Sequence, residues 1–137
     1  MKLNQAKWAS FDKETSHLIS FEGELPIQMR HSDGTALPML VDDAKTNKFG
    51  ADIIRFAPGK GVGLHKHIGA HILMVTKGTG TLVYEDERHP MFEGMIYSIP
   101  SNVPHAIEAT TELVLVAVGN DHKPADSEER LDVVGQN

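Results

Sequence analysis

Four histidines in the middle of the chain have spacings that could hold a metal ion: His65, His67, His71 and His105. Residues two apart on a β-strand project from the same face, so an extended segment puts the imidazoles of His65 and His67 side by side. His71 has the same parity, although Gly69 permits a turn that would bring His71 from the next strand. His105 is distant in sequence, as a ligand supplied by the closing of a barrel would be.

These side chains favour a transition metal over a hard cation. Imidazole nitrogen suits Zn, Ni, Cu, Co and Fe, whereas Mg and Ca prefer oxygen ligands. The sequence therefore predicts one transition-metal ion, and Zn, Ni, Fe, Co and Cu are all compatible with the ligands. The chain has no cysteine, which excludes thiolate ligands, disulfides and cysteine nucleophiles.

Glycines around the first three histidines carry a resemblance to a known family. The segment 59–78 reads GKGVGLHKHIGAHILMVTKG. It resembles the first motif of the cupins, which runs Gly, five residues, His-x-His, three or four residues, Glu, six residues, Gly. In this sequence His71 stands where the family usually has glutamate.

The fourth histidine lies in a segment that resembles the second cupin motif. That motif runs Gly, five residues, Pro-x-Gly, two residues, His, three residues, Asn, and residues 94–109 read GMIYSIPSNVPHAIEA. Asn102 stands at the Gly position and Ala109 at the Asn position. The resemblance covers residues 59–109 directly, and the strand pattern extends it from about 17 to 118.

The resemblance implies a double-stranded β-helix, or jelly-roll barrel, with metal ligands at positions 65, 67, 71 and 105. An all-imidazole site leaves the ion its full positive charge, so the ion should polarise a bound water or anionic ligand strongly. Such a site departs from the two-His-one-carboxylate triad of many non-haem iron oxygenases. It is similar to the sites of cupin-type polyketide cyclases and of some cupin dioxygenases.

Short β-type runs separated by Gly, Pro, Asn and Asp independently indicate an all-β sandwich or barrel. Strands are predicted at 17–22, 26–29, 37–41, 49–57, 64–68, 71–76, 81–85, 95–99, 103–108 and 112–118. Gly61 and Gly63 are predicted to form a flexible lead into the strand at 64–68. A charged turn is predicted at 85–88, and Asp126 could cap a short helix over 127–133.

Length and composition indicate one domain. The 137 residues are predicted to form a single cupin domain, 1–137, with a motif core at 59–109, an N-terminal arm at about 1–16 and a polar C-terminal tail at about 119–137. The net charge of -6, without a basic cluster, argues against nucleic-acid or membrane partners. Neither a secretory signal nor an apolar run of membrane-spanning length is found, so a cytoplasmic location is expected.

Other side chains could contribute to the site or to an interface. Tyr97 is a candidate acid or base, and Tyr84 could equally point into the cavity, although both could simply pack in the core. Arg55 could bind an anionic substrate or face solvent. The apolar residues Trp8 and Phe11 in the N-terminal segment lead us to expect a homodimer. The histidines outside the motifs, His17, His31, His89 and His122, are expected to be solvated.

The function predicted from these residues is that of a metal-binding enzyme. It would act on a small organic acid, enol or carbonyl compound by Lewis-acid chemistry of the isomerase, lyase or cyclase type. A metal-dependent dioxygenase and a non-catalytic cupin that binds a small ligand are the alternatives, because a fold does not fix a function.

Overall fold

Short segments of alternating apolar and polar residues fold into strands, as their period of two predicts. A computed structural model describes residues 6–10, 16–20, 26–40, 49–120 and 132–134. The strands in those ranges are β1 (Ala6–Ser10), β2 (Ser16–Ser20), β3 (Ile27–Gln28), β4 (Thr35–Leu40), β5 (Gly50–Phe56), β6 (Gly61–Lys66), β7 (His71–Lys77), β8 (Thr79–Tyr84), β9 (Glu87–Phe92), β10 (Ile96–Ile99), β11 (His105–Ala109), β12 (Leu113–Gly119) and β13 (Asp132–Val133). None of the described residues form a helix long and apolar enough to cross a membrane.

The strands form three antiparallel sheets. β1 pairs only with β2 among the described strands. A six-stranded sheet has the order β10-β7-β12-β5-β4-β3, and a five-stranded sheet has the order β13-β6-β11-β8-β9. The prediction of an all-β jelly-roll fold is therefore confirmed.

The two larger sheets share one hydrophobic core. Buried and half-buried residues alternate along all of β5, which turns Ile54 and Phe56 towards the core. Leu73 and Leu115 of the same sheet cluster there with Leu82 of the five-stranded sheet. Burying a side chain of this size contributes about 1.5–3 kcal/mol. Packing of one sheet on the other therefore supplies much of the stability of the fold.

The prediction of a charged turn at 85–88 is wrong in its second half. Glu85 takes a positive φ of 53° in the turn, but β9 already begins at Glu87 and pairs with β8. β9 lies at an edge of its sheet. Charged side chains and a proline such as Pro90 are tolerated at an edge, where one row of backbone groups has no strand to pair with.

The predicted helix over 127–133 is wrong at its C-terminal end. Asp132 and Val133 form β13, which pairs with Lys66 and His65 of β6. The amide of Val134 also donates to the carbonyl oxygen of Leu64 at 2.9 Å. The edge of β6 supplies backbone hydrogen-bond partners for this segment. Local sequence signals for a helix do not reveal such distant partners. Residues 121–131 lie outside the described residues.

Gly61 and Gly78 lie where two main chains approach too closely for a side chain. A Cβ on Gly61 would collide with the carbonyl oxygen of Ile107, beside the irregularity in the pairing of β6 with β11. Gly61 therefore belongs to β6 and is not part of a flexible lead. A Cβ on Gly78 would collide with the carbonyl oxygen of Glu112, and Gly78 also has a φ of 89°.

Replacing Gly78 with alanine tests this close approach. We expect Gly78→Ala to lower the free energy of unfolding by about 2–3 kcal/mol, because the new Cβ is strained at positive φ and displaces a backbone carbonyl. The matched control is Gly63→Ala, where a Cβ would meet nothing within 4 Å. It should change the free energy by less than about 1 kcal/mol. Urea unfolding followed by circular dichroism measures both, and equal losses would contradict the prediction.

Candidate metal centre

Two histidines of the site lie opposite each other in the five-stranded sheet. His65 of β6 pairs with His105 of β11, and both side chains are buried. Their ring centroids are 4.2 Å apart. His67 follows the last residue of β6, and its ring centroid lies 5.7 Å from that of His65 and 5.0 Å from that of His105. Antiparallel pairing thus brings together histidines from two distant stretches of the chain.

The ring nitrogens of these three histidines converge. One nitrogen of each ring of His65, His67 and His105 lies within 4.8 Å of the others. Nitrogens bound to one ion at about 2.1 Å lie at most about 4.2 Å apart. Small rotations of the rings would therefore bring the three nitrogens to metal-binding distances. Among the described residues, no carboxylate joins this group. The donor set therefore fits a transition metal better than Mg or Ca.

Backbone carbonyls determine which nitrogen of each ring can bind an ion. The Nδ1 atoms of His65 and His67 lie 2.7 Å from the carbonyl oxygens of Gly63 and Gly69, and that of His105 lies 2.8 Å from the carbonyl oxygen of Val103. A carbonyl oxygen only accepts hydrogen bonds, so each Nδ1 carries the proton and donates. The Nε2 of each neutral ring therefore keeps its lone pair for a metal, an arrangement common to metal-binding histidines.

The protonation state of His105 suits this role. Burial, with a smaller contribution from neighbouring His67, lowers the pKa of His105 from its ordinary 6.5 to about 4, against the opposing effect of the hydrogen bond to Val103. His105 is therefore neutral near pH 7. A neutral imidazole is the form that coordinates a metal.

His71 approaches the group from the opposite sheet. It is the first residue of β7 and pairs with Ile99 on one side and Gly119 on the other. Its ring centroid lies 4.5 Å from that of His67 and 5.5 Å from that of His105. The ring thus borders the three-histidine cluster, and its role as fourth ligand stays a prediction.

His71 packs closely against Gly119, which has no side chain to collide with it. A Cβ on Gly119 would lie 2.8 Å from the Cβ of His71 and would also collide with the carbonyl oxygen of Ala70. Beside it, the side-chain oxygen of Asn120 accepts from the amide of Ala70 at 3.0 Å. The end of β12 thereby holds the start of β7 in place.

The turn before His105 is attached to the segment that carries His67. The amide of Asn102 donates to the carbonyl oxygen of His67 at 2.8 Å. Asn102 has a φ of 60°, in the left-handed region that asparagine enters more readily than most residues. Asparagine can therefore replace the glycine usual at this position of the second motif.

The two tyrosines are placed differently. Tyr97 of β10 donates its hydroxyl to the carbonyl oxygen of Pro90 on the other sheet at 2.6 Å, and burial raises its pKa. Its role as acid or base stays a prediction. Tyr84 pairs directly with His105, which puts its side chain on the same face of the sheet as that histidine. It packs partly buried against the core.

The remaining candidates lie apart from the histidine cluster. Arg55 is half-buried and forms an ion pair with Glu112. Its role as an anchor for an anionic substrate stays a prediction. His89 contacts Glu87 at 3.3 Å, and His31 is exposed in a turn. The predictions for four other residues lie outside the described part of the chain. They concern the side chains of Trp8 and His17, and the residues Phe11 and His122.

Asp52 is an inward-facing carboxylate that the sequence analysis did not single out. It is fully buried and has the same parity along β5 as Ile54 and Phe56. It pairs with Ala117, two residues before the Gly119 that pairs with His71. Asp52 and His71 therefore both face the barrel interior, in neighbouring rows of cross-strand partners. Its position among alternating apolar residues in GADIIRF was the signal that could have identified it.

Comparison with known proteins agrees with this architecture. A family model for the cupin domain matches residues 52–119. No curated protein matches the sequence. The polyketide cyclase RemF from Streptomyces resistomycificus has a TM-score of 0.65 at 16% identity, over 81% of this chain and 78% of the cyclase.

Two further solved structures are similar. A variant of salicylate 1,2-dioxygenase from Pseudoaminobacter salicylatoxidans has a TM-score of 0.58 at 20% identity, over 64% of this chain. The match covers 26% of that dioxygenase, so this chain spans about a quarter of its length. A conserved protein of unknown function from Streptococcus pyogenes has a TM-score of 0.54 at 18% identity, over 65% of this chain and 76% of that protein. At such identities the similarity shows the fold.

Both motif segments, 59–78 and 94–109, lie inside the part of the chain that the family model matches. Each segment contributes one strand to each of the two larger sheets, and His65 and His67 of the first segment meet His105 of the second. Sequence motifs, sheet order and family match therefore agree, and this chain belongs to the cupin superfamily.

Proposed function

We propose that this protein is a metal-dependent enzyme that acts on a small organic acid, enol or carbonyl compound by isomerase, lyase or cyclase chemistry. His65, His67, His71 and His105 would hold the ion. The observation that carries the proposal is the convergence of three imidazoles whose Nδ1 atoms all face backbone carbonyls. That arrangement leaves the Nε2 lone pair of each ring available to a metal ion.

The proposed ligands determine which compounds the site favours. Held by neutral imidazoles, a first-row ion supplies Lewis acidity that polarises a carbonyl or carboxyl oxygen of a bound ligand. His65 and His105 bring no negative charge, so the site should attract an anionic or enolisable compound. The buried residues Val62, Ile99 and Ile107 add apolar surroundings that exclude water from the inner side of the site.

Tyr84 is the group that we propose for handling a proton or orienting the ligand. It is the direct cross-strand partner of His105, so its Cα lies about 4.5–5.5 Å from that of a proposed ligand. Tyr97 differs because its hydroxyl proton already bonds to the carbonyl oxygen of Pro90. A phenol on the same face of the sheet as the proposed ligand His105 could donate to, or accept from, a reacting oxygen.

The similar solved structures support a small-molecule ligand and two reaction types. One is named as a polyketide cyclase, and its similarity extends over most of both chains. The other is a dioxygenase, crystallised with gentisate, a small aromatic acid. We favour the non-oxidative reactions because the cluster lacks the carboxylate of the common iron triad. Dioxygenase chemistry is the second candidate.

A panel of small keto acids, 1,3-diketones and dihydroxybenzoates distinguishes these functions. We expect the metal-loaded protein to speed solvent-deuterium incorporation, followed by NMR, into at least one carbonyl compound without oxygen uptake. Oxygen uptake with an aromatic acid would instead establish the dioxygenase. Tight ligand binding without either reaction would show a binding protein and overturn the enzymatic proposal.

Metal content tests the site directly. We expect purified, reconstituted protein to contain about one equivalent of transition metal and the His65→Ala, His105→Ala double variant to contain less than about a tenth. His89→Ala is the matched control, because His89 lies outside the cluster, and it should retain the metal. Elemental mass spectrometry gives the ratios. Equal metal content in all three proteins would contradict the site.

His71 is tested by two substitutions with opposite expectations. His71→Ala should weaken metal binding more than about 100-fold, since loss of an outer-shell partner alone costs about 10–100-fold. His71→Glu restores the residue usual in the family motif, and a carboxylate can bind the same ions. It should therefore retain one equivalent of metal. Competition with a chromophoric chelator measures the affinities, and an unchanged affinity in His71→Ala would exclude it as a ligand.

The two tyrosines form a matched pair. With the panel compound that exchanges fastest, Tyr84→Phe should slow deuterium incorporation about 10–100-fold, because it removes the proposed proton donor. Tyr97→Phe should leave that rate within about threefold but lower the free energy of unfolding by about 1 kcal/mol, through loss of the bond to Pro90. A larger rate loss in Tyr97→Phe would reverse the assignment in favour of Tyr97.

A further inference from the structure

Asp52 places a carboxylate on the inner face of the six-stranded sheet. The residue is 0% exposed, and it shares the inward face of β5 with Ile54 and Phe56 of the hydrophobic core. Aspartate is almost never fully buried unless hydrogen bonds or an opposite charge compensate its carboxylate. A carboxylate kept at such a position indicates a use for its charge inside the barrel.

One strand, β12, separates Asp52 from the proposed ligand His71. Asp52 pairs with Ala117 of β12, and Gly119 of the same strand pairs with His71. Neighbouring strands lie about 4.8 Å apart, so β5 and β7 are roughly 10 Å apart, and both side chains turn into the same interior. The two inward positions of β12 between them, Ala117 and Gly119, carry no bulky side chain that would separate the carboxylate from the imidazole.

The histidine cluster brings no negative charge of its own. His65, His67 and His105 would bind an ion as neutral imidazoles, and the described carboxylates do not join their group. A divalent ion would therefore hold two positive charges in a barrel interior, where an uncompensated charge is costly. The usual motif compensates one of them with a glutamate at position 71, where this chain has histidine.

We propose that Asp52 is the counter-charge of the metal ion and acts across the barrel interior without ligating the ion. The inference rests on the proposed metal site. Attraction between the carboxylate and the ion extends over such a separation because buried charges are screened much less than exposed ones. The negative charge that the motif usually places at position 71 is thus supplied from β5.

The counter-charge also defines the ligands that the site favours. The two positive charges of a divalent ion and the single negative charge of Asp52 leave one positive charge. A monoanion, such as a monocarboxylate or the enolate of a 1,3-diketone, neutralises that charge. A dianion leaves an excess negative charge in the interior, which is costly to bury. We therefore expect the proposed enzyme to prefer monoanionic compounds.

Asp52→Asn tests the counter-charge, because it removes the charge and nearly preserves the size of the side chain. The visible spectrum of the cobalt(II)-loaded protein reports the binding of azide, a small monoanion, and competition with a chelator gives the cobalt affinity. Asp52→Asn should weaken cobalt binding about 10–50-fold, because the ion loses an attracting charge. It should tighten azide binding about three- to sevenfold, because a repelling charge is gone. Structural damage would weaken both.

Glu112→Gln is the matched control. Glu112 is also a buried carboxylate, at 6% exposed, but it forms ion pairs with Arg55 and Lys77 and precedes β12 at the end opposite Gly119. Its loss should lower the stability of the fold and leave both affinities within about twofold. Asp52→Ser repeats the test with a smaller neutral side chain, and circular dichroism verifies the fold of every variant.

The possible outcomes separate this inference from the metal site itself. Weaker cobalt binding together with tighter azide binding in the Asp52 variants, but not in Glu112→Gln, would establish the counter-charge. Unchanged affinities, or parallel losses of both, in variants of a wild type that binds one equivalent of cobalt would overturn the counter-charge alone. A wild-type protein that binds no cobalt would overturn the metal site and this inference with it.

Discussion

The pairing of β6 with β11 is the contact on which the candidate site depends. It places His65 opposite His105, and it is possible only because Gly61 leaves space for the carbonyl oxygen of Ile107. Hydrogen bonds from the imidazoles to backbone carbonyls then fix the direction of each ring. The proposed metal site would need little reorganisation on binding, because the main chain already holds the histidines in place.

The inner and outer faces of the two sheets carry different kinds of side chain. The inner faces of the two sheets supply both the hydrophobic core and the histidine cluster, which lies at one end of that core. One outer face carries the exposed ion pair of Arg88 with Glu108, whereas the other exposes apolar side chains, among them Ile72 and Ile96. Successive residues of a strand point to opposite faces of the sheet, so one strand supplies both core residues and surface residues.

As the proposed fourth ligand, the histidine at position 71 would give the site its chemical character. A glutamate there would cancel part of the charge of an ion, whereas imidazole cancels none. The only buried carboxylate that faces the barrel interior near this row among the described residues is Asp52, and it lies one row away. The carboxyl group of Asp52 thus lies outside the histidine cluster but within the same barrel interior.

The sequence by itself determined the family, the all-β class and the histidines that form the cluster, because the two motifs have fixed spacings and strands have a fixed period. It also placed most of the central strands. It could not determine β9, β13 or the role of Gly61, since edge positions and close main-chain approaches depend on neighbours distant in the chain. Only the tertiary structure distinguished the surroundings of Tyr84 from those of Tyr97 and paired Arg55 with Glu112. It alone showed that Ile72, Met74 and Ile96 are exposed. Residues of one type acquire different contacts according to the strand that lies opposite them.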